Sequence, residues 1–551
     1  MLGGTPVLVL KEGSEREKGK TAFENNVAAA KAIADTVKTT LGPKGMDKML
    51  VDSTGDITIT NDGVTILKEM EIEHPTAKML VEVAKTQDQQ CGDGTTTAVV
   101  IAGELLKKSE ELVSQNIHPT IITKGFHLAE EFSLKEINSI SIPVSEKDYD
   151  KLKKIAITTM NSKGVGNSRE LFADIAVKAV TSVMEQKGDR KVIDMDSIQI
   201  EKKIGGSMEN SELINGVIID KERAHPRMPK VVKDAKIALI ASALEIKKTE
   251  IDAKIEINDP TKIQSFMNAE EAILQDIVKR IVDLKANVVF CQKGVDDFVS
   301  YSLAKNNIMV VKQVKESDMK KLAKAVGGKI VTGIRNISQE DLGTAGVVEE
   351  TKIGDSNMVF VKECSNPKAV SILIRGGTEH VIEEAERSLH DALRVVGVAL
   401  EDGYYVPGGG AIEMYLATKL RKYAPSVGGR EQMAIEAFAD AMEIIPRTLS
   451  QNAGLDAMDT LIKLRKAHNE GGKEYFGINL LTGNPENMIE SNIIEPMRVK
   501  KQAIQSATEA ATMIIRIDDV ITAKKSSGGG NPGMGGGMGG MGGMEGGYGG
   551  Y

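Results

Sequence analysis

Apolar positions recur every three or four residues along much of the chain, and that rhythm changes twice. Phe23, Val27, Ala30, Ile33, Ala34 and Val37 form one apolar face and predict a helix. It stops at Leu41-Gly42-Pro43, where Gly follows the last turn and Pro bars continuation. Ile57-Thr58-Ile59-Thr60 alternates as a short strand does, and Asn61-Asp62-Gly63 punctuates it. Ala77, Leu80, Val81 and Ala84 predict a second helix; Ala98, Ile101, Ala102, Leu105 and Leu112 predict a third, from Thr97 to Val113. In the middle of the chain the period shortens. Strand-like runs Asn287–Cys291, Ile308–Lys312 and Lys329–Thr332 alternate with helical patterns at Val295–Lys305 and Ser317–Val326, which predicts a small α/β domain with parallel strands. Just before it, Asp259-Pro260 reads as an N-cap followed by a first-turn proline. Ile273, Ile277, Ile281 and Leu284 then mark the apolar face of a long amphipathic helix, with Phe266 and Met267 near its start. Helical periodicity returns from Glu379 to Asp519, interrupted by Pro407-Gly408-Gly409-Gly410 and by Gly471–Pro485. The layout is helical, then α/β, then helical. Gly528–Tyr551 is Gly-rich and carries Met534, Met538, Met541 and Met544. Such a segment buries too little to offset an ordering entropy of roughly 1–2 kcal/mol per residue, so a flexible tail is expected.

Composition narrows the function classes. A length of 551 residues suggests three or four domains. With 41% apolar and 27% charged residues the chain has the make-up of a soluble globular protein. Its 70 Lys and Arg are outnumbered by 78 Asp and Glu, a net charge of −8, which argues against gripping a phosphate backbone. With 10 Phe, 9 Tyr and no Trp, base-stacking platforms are not expected either. Cys91, Cys291 and Cys364 lie far apart with no CxxC pair, which excludes a zinc ribbon or a disulfide scaffold and fits a reducing cytosol. The apolar run Pro6–Leu10 is too short for a signal core, and no stretch approaches the roughly 20 apolar residues of a membrane span. A cytoplasmic protein with no membrane and no nucleic-acid partner is expected.

Gly19-Lys20-Thr21 ends like a phosphate-binding P-loop, but Gly13 and Gly19 enclose five residues instead of four. Glu15 and Glu17 inside the loop have the wrong sign for phosphate, so this reads as a charged turn before a helix. The stronger signal is Gly92-Asp93-Gly94-Thr95-Thr96-Thr97 at the start of the third helix. Two glycines let the backbone approach an anion, the helix N-terminus supplies free N–H groups, and three hydroxyls add donors. Asp93 suits a carboxylate that holds Mg²⁺ against phosphate. Plain N-capping by Thr or Asp would need one such residue, not four in six. Hydrolysis would further require a carboxylate to orient water. Asp62 and Asp391 are candidates, although locally Asp62 also reads as a turn or cap residue. Asp391 likewise reads as a solvated carboxylate paired with Arg387 or Arg394.

Leu41-Gly42-Pro43-Lys44-Gly45-Met46-Asp47-Lys48, Asn61-Asp62-Gly63, Gly92–Thr97, Ser388-Leu389-His390-Asp391-Ala392-Leu393 and Val406–Ala411 together resemble the signature segments of group II chaperonins. That family comprises the archaeal thermosomes and the eukaryotic cytosolic chaperonin, and the resemblance covers essentially residues 15–523. It implies a multidomain α+β chaperonin fold with discontinuous domains. A mostly helical equatorial ATPase domain would take 1–144 and 404–523, and an intermediate hinge domain 145–213 and 369–403. An α/β apical domain would take 214–368, with a helical protrusion at 245–285 serving as a built-in lid, and 524–551 would be the tail. From its own sequence the protrusion reads equally as an ordinary helix packed within its domain.

The resemblance also implies residue roles, carried over motif by motif. Leu41 would bind the nucleotide, and Gly42 and Pro43 would contact its phosphates. Gly94, Thr95, Thr96 and Thr97 would cradle them, and Asp93 would bind Mg²⁺. Asp62 and Asp391 would position the attacking water. Ser162 and Lys163 belong to a segment, Asn161-Ser162-Lys163-Gly164, that looks like a γ-phosphate sensor. Gly409, Asn479 and Glu495 resemble adenosine-pocket positions. The implied activity is ATP-driven folding: subunits in two stacked rings, eightfold or ninefold, would hold non-native protein clients and enclose them as the lid closes. A nucleotide-stabilised client-binding ring, and a group I-type chaperonin needing a detachable cap, are the alternatives.

Overall fold

A computed structural model describes residues 15–188, 190–246, 260–354, 356–364 and 368–522. The run Pro6–Leu10, Gly13, Asp259, the 247–259 part of the expected protrusion and the Gly/Met-rich tail lie outside the described residues, as do the side chains of Phe266 and Met267. The chain divides into two compact units, residues 1–23 with 517–551, and residues 24–516. In the first, Glu15–Lys18 pairs antiparallel with Asp519–Thr522, Glu15 opposite Thr522. Arg16 donates from Nε to Asp519 Oδ1 at 3.0 Å across that pair.

The long second unit opens with helices, as the apolar period predicts. The part of helix α1 (Gly19–Lys38) that belongs to this unit, from Glu24 on, buries Val27, Ala30, Ile33 and Val37. A hairpin of Lys48–Val51 and Ile57–Thr60 follows. Then come α2 (Gly63–Glu69), α3 (Pro75–Cys91), α4 (Thr95–Ser114) and α5 (Pro119–Ile140). Helices α3 and α5 start alike: a His accepts the N–H of the second helical residue, His74 from Thr76 at 3.2 Å and His118 from Thr120 at 3.3 Å, with Pro at the first position. The first three turns of α4 are buried on every side, Thr95 through Leu106, with the three threonines and Glu104 among otherwise small or apolar residues.

Next come α6 (Tyr149–Met160) and α7 (Arg169–Val183), and a three-stranded sheet in which Val370–Gly376 runs parallel to Ile198–Ile204 and antiparallel to Glu212–Ile214. The middle segment forms a separate sheet around Val231–Ile240. That strand pairs parallel with Val288–Cys291 and Ile330–Val331, and Val288–Cys291 pairs parallel with Met309–Val311. Its other edge is antiparallel: Gly343–Ile353, Ser356–Lys362 and Val217–Ile219 follow in order. The three expected strands are parallel as predicted, and the antiparallel half of the sheet is built from strands outside that segment. The long 343–362 hairpin escaped the sequence reading because its strands alternate weakly and carry charges, Glu349, Glu350, Lys352 and Lys362. Alternate residues of the central strand enter different cores. Ile237 and Leu239 join Phe290, Val311 and Leu322; Ala238 and Ile240 join Val289, Leu274, Ile281 and Val299. A sheet covered on both faces in this way reads as a near-continuous apolar run. The covering helices are α8 (Pro260–Asp283) and α9 (Asp297–Lys305) on one face and α10 (Glu316–Val326) on the other. In α8, Ile277 and Ile281 are buried as expected, but Ile273 is 49% exposed and Leu274 takes the core position, a rotation of the apolar face by one residue.

Helix α11 (Glu379–Asp402) packs Leu389, Ala392 and Val396 against Leu152, Phe172 and Ile372. The remaining helices are α12 (Ala411–Val427), α13 (Gly429–Met442), α14 (Ile444–Asn452), α15 (Ala457–Asn469) and α16 (Met497–Ile515). They return the chain to the first helices: Phe438 of α13 meets Phe126 of α5 edge-on, ring centroids 5.7 Å apart. Elements far apart in sequence thus frame one cavity.

Candidate functional site

A cavity of about 450 Å³ lies where the end of α1, the starts of α2 and α4, the end of α6, and the segments around 409, 479 and 495 meet. Of the residues singled out from sequence, Leu41, Gly42, Pro43, Asp62, Asp93, Gly94, Thr95, Thr96, Thr97, Ser162, Lys163, Gly409, Asn479 and Glu495 all line it. Asp391 does not, and reaches the cavity through Lys163.

One end presents the uncapped start of a helix. The N-cap of α4 is Gly94, held at φ +80°, and no side chain caps the helix. The alternative of plain capping by Thr or Asp is therefore not what the sequence does here. Asp93 instead turns one oxygen, Oδ1, to its neighbour's N–H (Gly94, 2.6 Å), and Gln87 Nε2 fastens the loop through Asp93 O at 2.7 Å and Val499 O at 3.2 Å. Gly94 is required twice, by its positive φ and because a Cβ would stand 2.9 Å from both Gln87 Nε2 and Val499 Cγ1. Facing α4, Asp62 does cap α2: its Oδ2 accepts from Thr65 N at 3.0 Å and Thr65 Oγ1 at 2.7 Å, while Oδ1 remains toward Thr95 Oγ1 at 3.4 Å. The cap reading of Asp62 therefore holds for one oxygen, and the other is left facing α4. Asp88, behind them, is pushed above the usual carboxylate range by burial and then by the Asp62 charge. The Leu41–Lys44 loop is pinned by Asn452, whose Nδ2 donates to Leu41 O at 2.9 Å and to Lys38 O at 3.1 Å.

A second layer comes from α11. Asp391 is buried and forms an ion pair with Lys163; their side chains are 11% and 7% exposed. The partners its local sequence offered are engaged elsewhere. Arg387 bonds Glu384 at 2.9 Å and Ile59 O at 3.3 Å, and Arg394 donates to Gln89 O at 2.6 Å. Asn61 Nδ2 donates to Ser162 O, which joins the turn holding Asp62 to the loop holding Lys163.

The opposite end is apolar, lined by Ile478, Leu480, Met488 and Ile493. Gly409, at φ +62°, accepts the Ile478 N–H at 3.0 Å and admits Met488, whose Sδ would stand 2.6 Å from a Cβ there. Asn479 is committed to its own turn: Oδ1 accepts from Leu481 N at 2.8 Å and Thr482 N at 3.1 Å, and Nδ2 bonds Glu486. Between the two ends sits Glu495, paired with Lys500 at 3.0 Å; Lys500 also holds Glu413 at 2.9 Å. Burial pushes the Glu495 carboxyl up, Lys500 opposes that, and Glu413 and Asp93 add to it. Sequence reasoning missed Asn61, Thr158, Asn161, Met488 and Lys500 as cavity residues. Lys500 gave no signal, since Arg498-Val499-Lys500-Lys501 reads as a solvated basic run.

An uncapped helix start with carboxylates at one end and an apolar slot at the other fits a phosphorylated ligand bearing a flat apolar group. The whole chain agrees with that class of protein: it belongs to the TCP-1/cpn60 chaperonin family, which it matches over residues 33–525, and it is an ATP-dependent chaperonin. Among its relatives are thermosome subunit beta of Archaeoglobus fulgidus, 57% identical over 535 residues (97% of this chain and 98% of the relative), and thermosome subunit alpha of Thermoplasma acidophilum, 56% identical over 546 residues (98% and 99%). Among the described residues no helix is long and apolar enough to cross a membrane.

Proposed function

We propose that the cavity binds ATP with Mg²⁺ and hydrolyses it, and that hydrolysis drives a cycle of client capture and enclosure in a double ring. The observation that carries this reading is the meeting of the uncapped α4 N-terminus, Asp93 and Asp62 at one end of a cavity whose other end is apolar. The phosphates would lie on the N–H groups and hydroxyls of Gly94, Thr95, Thr96 and Thr97, with Gly42 and Pro43 opposite, and the base against Ile478 and Met488. Glu495, midway, would face the sugar. Among the described residues no group of three or more His, Cys, Asp and Glu side chains is arranged to hold a metal. Asp93 spends one oxygen on Gly94 N–H and keeps the other, which suits Mg²⁺, an ion that takes one or two carboxylates and fills its shell with phosphate oxygens and water. Mg²⁺ held there would offset phosphate charge. Asp62 Oδ1 would orient the attacking water, Asp391 would share that role, and Lys163 would exchange Asp391 for the γ-phosphate.

Reaction and movement would be linked because Asp391 and Lys163 come from segments other than those holding Asp93. We assign those segments, 145–213 and 369–403, to a hinge domain between an equatorial part (1–144 and 404–523) and an apical part (214–368). The apical part would hold non-native proteins, and 245–285 would act as the lid. The likeness to thermosome subunits supports a ring closed by its own lid over one needing a detachable cap, and a cytoplasmic location. The test is refolding of a denatured enzyme with the assembled protein, Mg²⁺ and either ATP or a non-hydrolysable analogue. Yield rises with ATP and not with the analogue; equal yields would leave only a nucleotide-stabilised holding ring.

A further inference from the structure

The proposed cycle has no use for one group that the structure buries at some cost. Lys500 has a side chain 6% exposed and holds two carboxylates, Glu413 at 2.9 Å and Glu495 at 3.0 Å; Glu413 is 2% exposed and Glu495 is 18% exposed, opening to the cavity. Two carboxylates against one ammonium leave a surplus negative charge in a place with little water, and Glu413 Oε2 has no hydrogen-bond partner. Replacing such a cluster by apolar side chains is often neutral or favourable, so stability alone gives no reason for it. Its position does. Glu495 lies two residues from Ile493 of the apolar end, and Val499, next to Lys500, packs on Gly94 of the anion end. Gly408 leaves room for the carboxylate, since a Cβ there would stand 2.6 Å from Glu495 Oε1.

We propose that Lys500, seated against Glu413, is a positioning residue: it supplies the counter-charge that holds the Glu495 carboxylate ready to accept hydrogen bonds from the sugar hydroxyls of the bound nucleotide, and so sets a preference for ribonucleotides. This rests on the reading of the cavity as an ATP site. The charged groups facing Glu495 are Lys500 on α16, Glu413 on α12 and Asp93 before α4. Burial raises the Glu495 carboxyl, Lys500 counters it, and the other two raise it further. Burial works against the charge on Lys500 as well, but Glu413 and Glu495 together raise its ammonium, so it stays charged. Without Lys500, every remaining neighbour favours the protonated Glu495. That form has one oxygen occupied by a proton and accepts a hydroxyl weakly.

The experiment measures binding of Mg²⁺-ATP and Mg²⁺-2′-deoxyATP to the assembled protein at pH 6 and pH 8. The wild-type protein prefers ATP by roughly tenfold, as expected for one hydrogen bond to a charged group, at both pH values. In Lys500→Met the preference falls toward unity at pH 6 and falls less at pH 8, because a higher pH favours the ionised carboxyl. A purely structural role would weaken both nucleotides alike at both pH values, and that result overturns the proposal. Should Lys500→Met fail to assemble, the double variant Glu413→Gln/Lys500→Met, which buries one carboxylate fewer, carries the same expectation. Failure of the wild-type protein to bind either nucleotide would instead overturn the ATP-site reading itself.

Discussion

The Lys163–Asp391 pair offers a test in which stability and turnover separate. Both side chains are close to nine-tenths buried or more, at 7% and 11% exposed. Converting Asp391 to Asn strands the ammonium, and converting Lys163 to Met strands the carboxylate; losing one partner of a buried pair costs about 3–5 kcal/mol. The double variant buries no net charge at this place and should recover most of the loss, so the cycle reports a coupling of about 2 kcal/mol or more. Denaturant unfolding of the assembled protein, followed by circular dichroism, reads this as midpoints that fall in each single variant and return in the double. Turnover behaves differently. If Asp391 orients the attacking water, Mg²⁺-dependent ATP hydrolysis falls by roughly 10²–10⁴-fold in Asp391→Asn, with nucleotide still bound, and the double variant stays as slow. Additive stability losses would refute the buried pair, and near-wild-type turnover in Asp391→Asn would refute the catalytic role. Recovery of both stability and turnover in the double variant would show that Asp391 serves only to neutralise Lys163.

Two further outcomes follow from the same geometry. Gly94→Ala forces a side chain into the left-handed region at φ +80°, which costs about 1–2 kcal/mol, and displaces Gln87 from Asp93 O. Calorimetric titration should show Mg²⁺-ATP affinity lower by about tenfold, since each 1.4 kcal/mol is tenfold; unchanged affinity would mean that the α4 N-terminus does not carry the phosphates. Glu443 is 1% exposed and sits between Arg421 and Arg465. Burial works against its charge, but hydrogen bonds from Arg465 and then Arg421 outweigh that and hold the carboxyl below its ordinary 4.5. A depressed carboxyl contributes stability above pH 4.5 that is lost as the pH falls through the folded-state value. Glu443→Gln should therefore lower the unfolding midpoint at pH 7 and flatten its decline below about pH 4.5; an acid limb as steep as in the wild-type protein would assign that decline to other groups.

Local order is what the sequence determined. The apolar period of α1, α3 and α4, the stop at Gly42-Pro43, the Gly-rich start of α4 and the parallel strands of the middle sheet all follow from neighbours within a turn or a strand, where backbone geometry acts directly. Gly92–Thr97 was legible as a candidate anion site for the same reason, because glycines, hydroxyls and a helix start occupy consecutive positions. The motifs of the chaperonin family added roles for residues with no local signal, Lys163 and Asp391 among them. Tertiary packing decided the rest. Nothing near Asp391 in the sequence says that it turns inward to Lys163 while Arg387 and Arg394 reach for backbone carbonyls of a strand and of another helix. Nothing near Lys500 says that a residue in a basic run is buried between two glutamates, or near Leu274 that it displaces Ile273 from the core. Periodicity reports which face of an element is apolar, to within about one residue. Which charged group meets which depends on burial across elements hundreds of residues apart, and that is fixed only when the whole chain closes around the cavity.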